Sequence, residues 1–204
     1  MKIVRNTLSL RRKTNHRERL MQCMTEMHFR FELPNDSQVA AQAIHYIQEA
    51  VARRSLCEEG EETRIGVALD EALTNALIHG NLEVSSDSRE DGDGSFERLI
   101  ELRRSKPGYK DRLVYVNGQF TRESIVIKIR DEGPGFDPSK LPDPTDPENL
   151  TKASGRGVLL MRAFMDEVLY NDTGNEITLV KYAKGLPDDP DGSGNERVLE
   201  ASVA

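Results

Sequence analysis

The chain has 204 residues, of which 37% are hydrophobic and 31% charged, and this composition predicts one soluble globular domain with a sizeable core. No apolar run is long enough to cross a bilayer, and the polar, basic start of the chain lacks the apolar segment of a secretory signal. The net charge of -7 argues against direct nucleic-acid binding, since neutralising phosphates requires a positive face. Cys23 and Cys57 are typical of free thiols in a reducing compartment. We therefore expect a cytoplasmic protein with no membrane partner.

The first half of the chain predicts an extension followed by one strand and two helices. Residues 1–26 show no sustained periodicity and are basic as far as residue 19, so we interpret them as an N-terminal extension. Alternating apolar and polar residues predict a strand over 27–33. Apolar residues at helical spacing predict a helix over about 38–54 and another over about 61–79, which Gly80-Asn81 would end.

The second half predicts a group of strands, a long loop and one more helix. In chain order the elements are a polar linker over 83–95, strands at 99–103, 112–116 and 124–130 with turn residues at 106–109 and 116–119, a loop or lid over 138–153, a helix over about 157–166, a turn at 171–175 and a last strand over 176–182. Residues 184–204 predict a disordered tail, which leaves 27–183 as the domain. Strands that cluster together while helices pack to one side make an α+β sandwich.

Two polar residues, Glu71 and Asn75, lie one turn apart on the second predicted helix, among aliphatic and small residues. A positioned carboxylate can accept the proton of a hydroxyl that attacks ATP. Mg²⁺ prefers oxygen ligands and keeps several waters, so the Asn75 amide oxygen together with phosphate oxygens could hold it. The alternative is a polar pair on a helix surface without a catalytic role, and on this motif alone that alternative is favoured.

A second motif, Asp131-Glu-Gly133-Pro-Gly135, follows the segment with the strongest β-propensity in the chain. A buried carboxylate at a strand end could accept a hydrogen bond from the exocyclic amine of adenine. Gly133 and Gly135 lack a Cβ, so the backbone there can turn sharply and approach a flat base. An ordinary strand-ending turn explains the same residues equally well.

A third motif, Gly155-Arg156-Gly157, opens a predicted helix, whose first N–H groups and dipole favour phosphate. Its glycines would let the preceding Pro-rich segment fold over a nucleotide. It is neither a P-loop, because no Gly-Lys-Ser/Thr follows, nor a dinucleotide fingerprint, because no strand immediately precedes it.

Together, these motifs resemble the N, G1 and G2 boxes of the GHKL (Bergerat-fold) ATPase superfamily. They are most similar to the bacterial anti-sigma-factor serine kinases, whose helix carries Glu-x-x-x-Asn-Ala-x-x-His-Gly or a near variant. The resemblance covers roughly 27–183. Sensor histidine kinases share the fold but carry a dimerisation helix with a phospho-acceptor histidine, and no such helical hairpin is seen before residue 27.

The resemblance implies a Bergerat-type two-layer α/β sandwich with a mixed, largely antiparallel sheet and helices on one face. It implies that Glu71 is the catalytic base, that Asn75 is the Mg²⁺ ligand and that Asp131 anchors adenine. The further residues it assigns to the nucleotide site are His79, Gly133, Gly135, Gly155, Arg156, Gly157 and Asn175. A core histidine at a helix end explains His79 at least as well. Relatives often have Gly-Thr where this chain has Gly174-Asn175, so an amide would replace a hydroxyl near adenine. The stretch between Gly80 and Asp131 is longer than usual.

The same resemblance implies an ATP- and Mg²⁺-dependent serine/threonine protein kinase that acts as an anti-sigma factor. Its implied partners are an anti-anti-sigma-type protein substrate and a sigma factor, with a second copy of the chain completing a homodimer. Two alternatives stay open. One is a nucleotide-binding regulatory module without catalysis, and the other is the detached catalytic domain of a sensor histidine kinase.

Overall fold

The computed structural model describes residue 20 and residues 23–54, 60–85, 94–140 and 156–183. Most of the expected N-terminal extension, much of the linker, the greater part of the expected lid, Gly155 and the tail after residue 183 lie outside these ranges. Within them, no helix combines the length and the apolar character that a membrane crossing requires.

Five strands and four α-helices make up the described part of the chain. They are β1 (Met27–Leu33), α1 (Ser37–Arg54), α2 (Glu61–Thr74), which continues as a π-helix (Asn75–Asn81), α3 (Ser95–Ser105), β2 (Val114–Phe120), β3 (Ser124–Arg130), a 3-10 turn (Pro138–Lys140), α4 (Arg156–Phe164), β4 (Glu167–Tyr170) and β5 (Glu176–Tyr182). The predicted strands over 27–33, 124–130 and 176–182 and the three predicted helices are confirmed, with small shifts at helix ends.

The sheet has the order β1-β2-β3-β5-β4, and each of its four pairings is antiparallel. The predicted α+β sandwich is therefore confirmed, although the sheet that these strands form is antiparallel throughout instead of mixed. Strand β4 has no counterpart in the sequence prediction. Its four residues are too short a run to show alternation, and pairing with β5 is what makes it a strand.

One face of the sheet carries the helical layer. Alternate strand residues such as Val116, Ile127 and Leu179 are buried in one cluster with the apolar faces of α1, α2 and α4. Helix α2 lies in the middle of this layer and packs against both α1 and α4. Its residues Ile65 and Leu69 are completely buried. Because helices cover α2 on two sides and the sheet covers a third, the helix itself has a fixed position in the domain, and Glu71 lies on this helix.

The strand predicted over 99–103 is wrong, because these residues belong to α3. Phe96, Leu99 and Ile100 recur at helical spacing and pack on Leu82 and Val84 in a small second core. A short apolar run fits a strand or a buried helix equally well, and here the second core stabilises the helix.

The turn predicted over 116–119 is also wrong, since Asn117 and Gly118 lie inside β2. The reason is the partner strand: Phe29 of β1 pairs with Gly118, and a Cβ on Gly118 would lie 2.0 Å from the Phe29 ring. The glycine leaves space for an aromatic ring to lie flat on the strand. Strand β2 consequently runs over Val114–Phe120, later than the predicted 112–116.

The end of the second predicted helix differs in kind from the expectation. The helix does not stop at His79 but widens into a π-helix over Asn75–Asn81, with the Leu82 N–H donating to the Leu77 carbonyl at 3.1 Å. Single π-helical turns are rare and often occur at functional sites. Gly80 and Asn81 thereby belong to the last helical turn, beside the end of β3.

Candidate functional site

Asp131 directly follows β3 and is only 8% exposed. Its N–H donates to the Asn175 carbonyl at 3.0 Å, and its Oδ1 accepts the Gly133 N–H at 2.8 Å. Burial raises the pKa of Asp131 to about 6, against the opposing effect of the Gly133 N–H and of the nearby guanidinium of Arg112. A desolvated carboxylate of this kind, held by one backbone donor, retains capacity to accept a further hydrogen bond.

Two glycines form the walls around this carboxylate. A Cβ on Gly80 would lie 2.3 Å from the carboxyl carbon of Asp131, and a Cβ on Gly133 would lie 2.3 Å from the Gly80 carbonyl oxygen. The first and second sequence motifs therefore meet here, with backbone directly against backbone. No side chain larger than hydrogen fits at either glycine, which leaves a surface that a flat group can approach.

Glu71 and Asn75 lie one turn apart on the helix that packs against α4. Glu71 is half-buried, and a Cβ on Gly157 would lie 2.6 Å from its Oε2. The first and third motifs are therefore also in contact. Asn75 is half-buried as well. Neither the Glu71 carboxylate nor the Asn75 side-chain amide has a hydrogen-bond partner among the residues that the structure describes. Arg156 is exposed at the first position of α4.

The loop after β3 docks against the turn before β5. Gly135 and Gly174 both have positive φ angles, of 73° and 72°. A Cβ on Gly135 would lie 2.0 Å from the Thr173 carbonyl oxygen, and one on Gly174 would lie 2.2 Å from the Phe136 carbonyl oxygen. The Phe136 N–H donates to the Thr173 carbonyl at 3.0 Å. The absence of a side chain at Gly135 therefore allows the two loops to approach each other closely.

Asn175 lies beside Asp131, but its side chain is engaged with the protein. Its Nδ2 donates to the Asp131 carbonyl at 3.3 Å, and its Oδ1 accepts from Asn171 Nδ2 at 2.9 Å. His79 is engaged similarly, because its Nδ1 contacts the Val84 carbonyl at the end of the π-helix. Both residues therefore hold backbone near the site.

One residue that the sequence reasoning did not place in the site is Asn81, which is completely buried. Its Oδ1 accepts the Glu132 N–H at 2.7 Å, and its Nδ2 donates to Asn35 Oδ1 at 2.9 Å. Its backbone carbonyl accepts from Arg112 Nη1 at 2.8 Å. The only signal in the sequence is its position directly after His79-Gly80, and its partners come from distant segments.

Mg²⁺ requires oxygen ligands in a near-octahedral arrangement. Among the described residues, no group of three or more His, Cys, Asp or Glu side chains could hold a metal ion. The half-buried Asn75 amide next to Glu71 can supply one oxygen, which fits an ion that takes its other ligands from phosphates and water.

Comparisons with known proteins show which family the chain belongs to. Residues 33–181 match the family described as histidine kinase-like ATPase domain. The anti-sigma F factor of Priestia megaterium is 32% identical over 130 residues, which cover 62% of this chain and 71% of that protein. The anti-sigma F factor of Bacillus cytotoxicus is 31% identical over 128 residues, covering 60% of this chain and 70% of that protein.

The family match runs from the end of β1 into β5 and therefore includes both contact groups, Gly80 with Asp131 and Glu71 with Gly157. This extent and the relatives together support the resemblance that the three motifs carry. The chain belongs to the histidine kinase-like ATPase domain family and thus to the GHKL superfamily.

Proposed function

We propose that this protein is an ATP-dependent serine/threonine protein kinase that acts as an anti-sigma factor in a partner-switching system. The observation that carries the proposal is the buried Asp131 carboxylate, enclosed by Gly80 and Gly133, on the same helix-and-strand framework as Glu71. Membership of an ATPase domain family implies ATP binding, and the names of the relatives support the anti-sigma role.

Asp131 is proposed to select adenine. Its Oδ1 accepts the Gly133 N–H, whereas its Oδ2 accepts no hydrogen bond from another residue in the described part of the chain. The exocyclic amine of adenine can donate to that oxygen. Guanine carries a carbonyl oxygen at the corresponding position, which the carboxylate would repel, so ATP should bind better than GTP.

Glu71 and Asn75 are proposed to act at the phosphate end. Glu71 precedes Gly80 by nine residues, at most about 13 Å along the axis because the π-helical part rises less per residue than an α-helix, so one nucleotide could reach both ends of this stretch. Glu71 would accept the proton of the attacking hydroxyl, and Asn75 would hold Mg²⁺. When bound, Mg²⁺ neutralises charge on the phosphates. The N-terminus of α4, with Arg156 and Gly157, lies beside Glu71 and would face the phosphates, with Gly155 preceding it.

The proposed partners are an anti-anti-sigma-type protein, which would carry the substrate hydroxyl, and a sigma factor held by direct binding. A homodimer in the cytoplasm, without nucleic acid or membrane, completes the proposal. The relatives' printed name supports the sigma-factor partner, and the overall charge of -7 is consistent with a protein that does not bind nucleic acid.

Two alternative functions make different predictions. In a nucleotide-binding regulatory module without catalysis, Glu71→Gln would leave partner regulation intact while Asp131→Asn abolished it. In the detached catalytic domain of a sensor histidine kinase, the phosphoryl group would be transferred to histidine on another chain. Phosphohistidine is acid-labile whereas phosphoserine is acid-stable, so acid treatment of the product separates these activities.

The test is incubation of the full chain with γ-labelled ATP, Mg²⁺ and candidate anti-anti-sigma-type proteins encoded by neighbouring genes. We expect acid-stable label on one partner with the unmodified protein and a large loss of transfer with Glu71→Gln, while ATP affinity stays similar. The matched control is Glu62→Gln, because Glu62 is an acidic residue in the first turn of the same helix and lies away from Glu71. Transfer that survives Glu71→Gln unchanged would overturn the assignment of the base.

A further inference from the structure

One peptide group beside Asp131 is held from both sides by amide side chains. Asn175 Nδ2 donates to the Asp131 carbonyl at 3.3 Å, and Asn81 Oδ1 accepts the Glu132 N–H at 2.7 Å. That carbonyl and that N–H belong to the same planar unit, the peptide bond between residues 131 and 132. Both of its hydrogen-bonding groups are therefore occupied, and rotation of the plane would break both bonds.

Each of the two amides is itself held in orientation. Asn175 Oδ1 accepts from Asn171 Nδ2 at 2.9 Å, and the Asn175 N–H donates to Asn171 Oδ1 at 3.1 Å. Asn81 Nδ2 donates to Asn35 Oδ1 at 2.9 Å. These bonds place the Asn175 nitrogen and the Asn81 oxygen toward the peptide group. The residue type matters at both positions, because one must donate and the other must accept.

Hydrogen bonds also connect Asn81 and its partner Asn35 to the segment between α3 and β2. Arg112 Nη1 donates to the Asn81 carbonyl at 2.8 Å, and Asn35 Nδ2 donates to the Tyr109 carbonyl at 2.9 Å. The Arg112 guanidinium also stacks at 4.9 Å over the Tyr109 ring and pairs with Glu83 at 2.8 Å. Asn81 is thus fixed through its side chain and through its backbone, in a place without solvent exposure.

The Asp131 carboxylate depends for its orientation on this held peptide, in addition to the bond from the Asp131 N–H to the Asn175 carbonyl at 3.0 Å and the enclosure by Gly80 and Gly133. Its only hydrogen bond to another described residue is the one from the Gly133 N–H, which lies just beyond the held peptide. A change in the 131–132 peptide plane would move both the Asp131 side chain and that donor. The carboxylate would then leave the narrow space between Gly80 and Gly133.

We propose that Asn81 and Asn175 are positioning residues for the nucleotide, which hold the 131–132 peptide so that the Asp131 carboxylate faces the adenine site. The inference rests on the proposed function, since it concerns the same nucleotide. It assigns Asn175 a role through Asp131 in place of direct contact with adenine. It also gives Asn81 a role that neither motif comparison nor its burial alone would supply.

The test is calorimetric titration of ATP and of GTP, each with Mg²⁺, into the full chain and its variants. We expect Asn81→Ala and Asn175→Ala each to weaken ATP binding by about tenfold. Each variant loses one hydrogen bond to the 131–132 peptide, and the Asp131 carboxylate is then no longer held toward adenine. The ratio of ATP to GTP affinity should also fall, because a misdirected carboxylate no longer selects the amine. Asn175→Thr retains a hydroxyl donor on a side chain one bond shorter than asparagine, so it should keep more of the selectivity than Asn175→Ala.

The matched control is Asn117→Ala, an exposed amide on the neighbouring strand β2 that should change neither affinity. A loss of stability alone would lower the folded fraction without altering the ratio of ATP to GTP affinity, so that ratio separates positioning from folding. Should Asn81→Ala fail to fold, Asn175→Ala and Asn175→Thr decide the question. Absence of ATP binding by the unmodified protein would overturn the proposed function. ATP binding with unchanged affinity and selectivity in the variants would overturn this inference alone.

Discussion

The Asp131 carboxylate rests directly against the backbone of Gly80, so closely that a Cβ on Gly80 would lie 2.3 Å from the carboxyl carbon. This contact joins the last turn of the π-helix to the end of β3 and defines the adenine end of the proposed site.

Gly80→Ala should displace Asp131 and weaken ATP binding by at least about tenfold, since neither backbone nor a buried carboxylate can yield by the required distance. Gly66→Ala on α2 is the matched control. The atoms nearest to a Cβ there belong to the Gln48 side chain, with Nε2 at 2.0 Å, and this flexible side chain can move at the cost of its hydrogen bond to the Glu62 carbonyl. Calorimetry should show near-normal ATP affinity for Gly66→Ala. Equal ATP affinity of the two variants would contradict the proposed location of adenine beside Asp131.

Asp131→Asn should stabilise the nucleotide-free protein while it weakens ATP binding. The pKa of Asp131 is raised from 3.8 to about 6, so ionisation costs free energy in the folded state. That cost appears as the pH rises from about 3.8 to about 6 and is constant at higher pH. The amide can still accept the Gly133 N–H. Urea denaturation at pH 7.5 should show a gain on the order of 2 kcal/mol, which shrinks toward pH 4. A gain in the free energy of unfolding that does not depend on pH would show that ionisation of Asp131 is not its cause.

ATP affinity should fall as the pH is lowered through about 6, because the carboxylate must be ionised to accept the adenine amine. The protonated acid has lost part of its acceptor capacity and would have to turn its own proton away from the base. Titrations across the range from about pH 5 to pH 8 should show one such step, and Asp131→Asn should lack it. If the ATP affinity of Asp131→Asn also fell near pH 6, a group other than Asp131 would be responsible for the pH dependence.

Gly157→Ala should reduce phosphoryl transfer more than it reduces stability. The new Cβ would lie 2.6 Å from Glu71 Oε2, and the carboxylate can avoid it only by leaving its present position. Alanine itself favours the helix by up to about 1 kcal/mol. We expect transfer to the partner to fall at least about tenfold, with an unfolding midpoint equal to or above that of the unmodified protein. Ala163→Ser, an exposed change on the same helix, should leave transfer intact.

Long periodic segments and local motifs could be predicted from the sequence. The spacing of apolar residues determined α1 and α2, the β-branched run determined β3, and the three motifs determined the candidate site residues. The predictions of α1, α2 and β3 are confirmed because each depends on residues that are close in the chain. Glu71 and Asn75 are neighbours on any helix, whatever packs around it.

Tertiary structure decided the features that depend on distant partners. Only the second core shows that residues 99–103 are helical, and only the Phe29 ring shows why Gly118 lies inside a strand. The widening of the helix into a π-turn, the contact of Gly80 with Asp131 and the two amides that hold the 131–132 peptide have the same origin. A glycine or an asparagine has local preferences, for turns and helix ends, but these do not specify a distant partner. Its role is set by the backbone groups that folding brings within hydrogen-bond distance, and local sequence does not encode those groups.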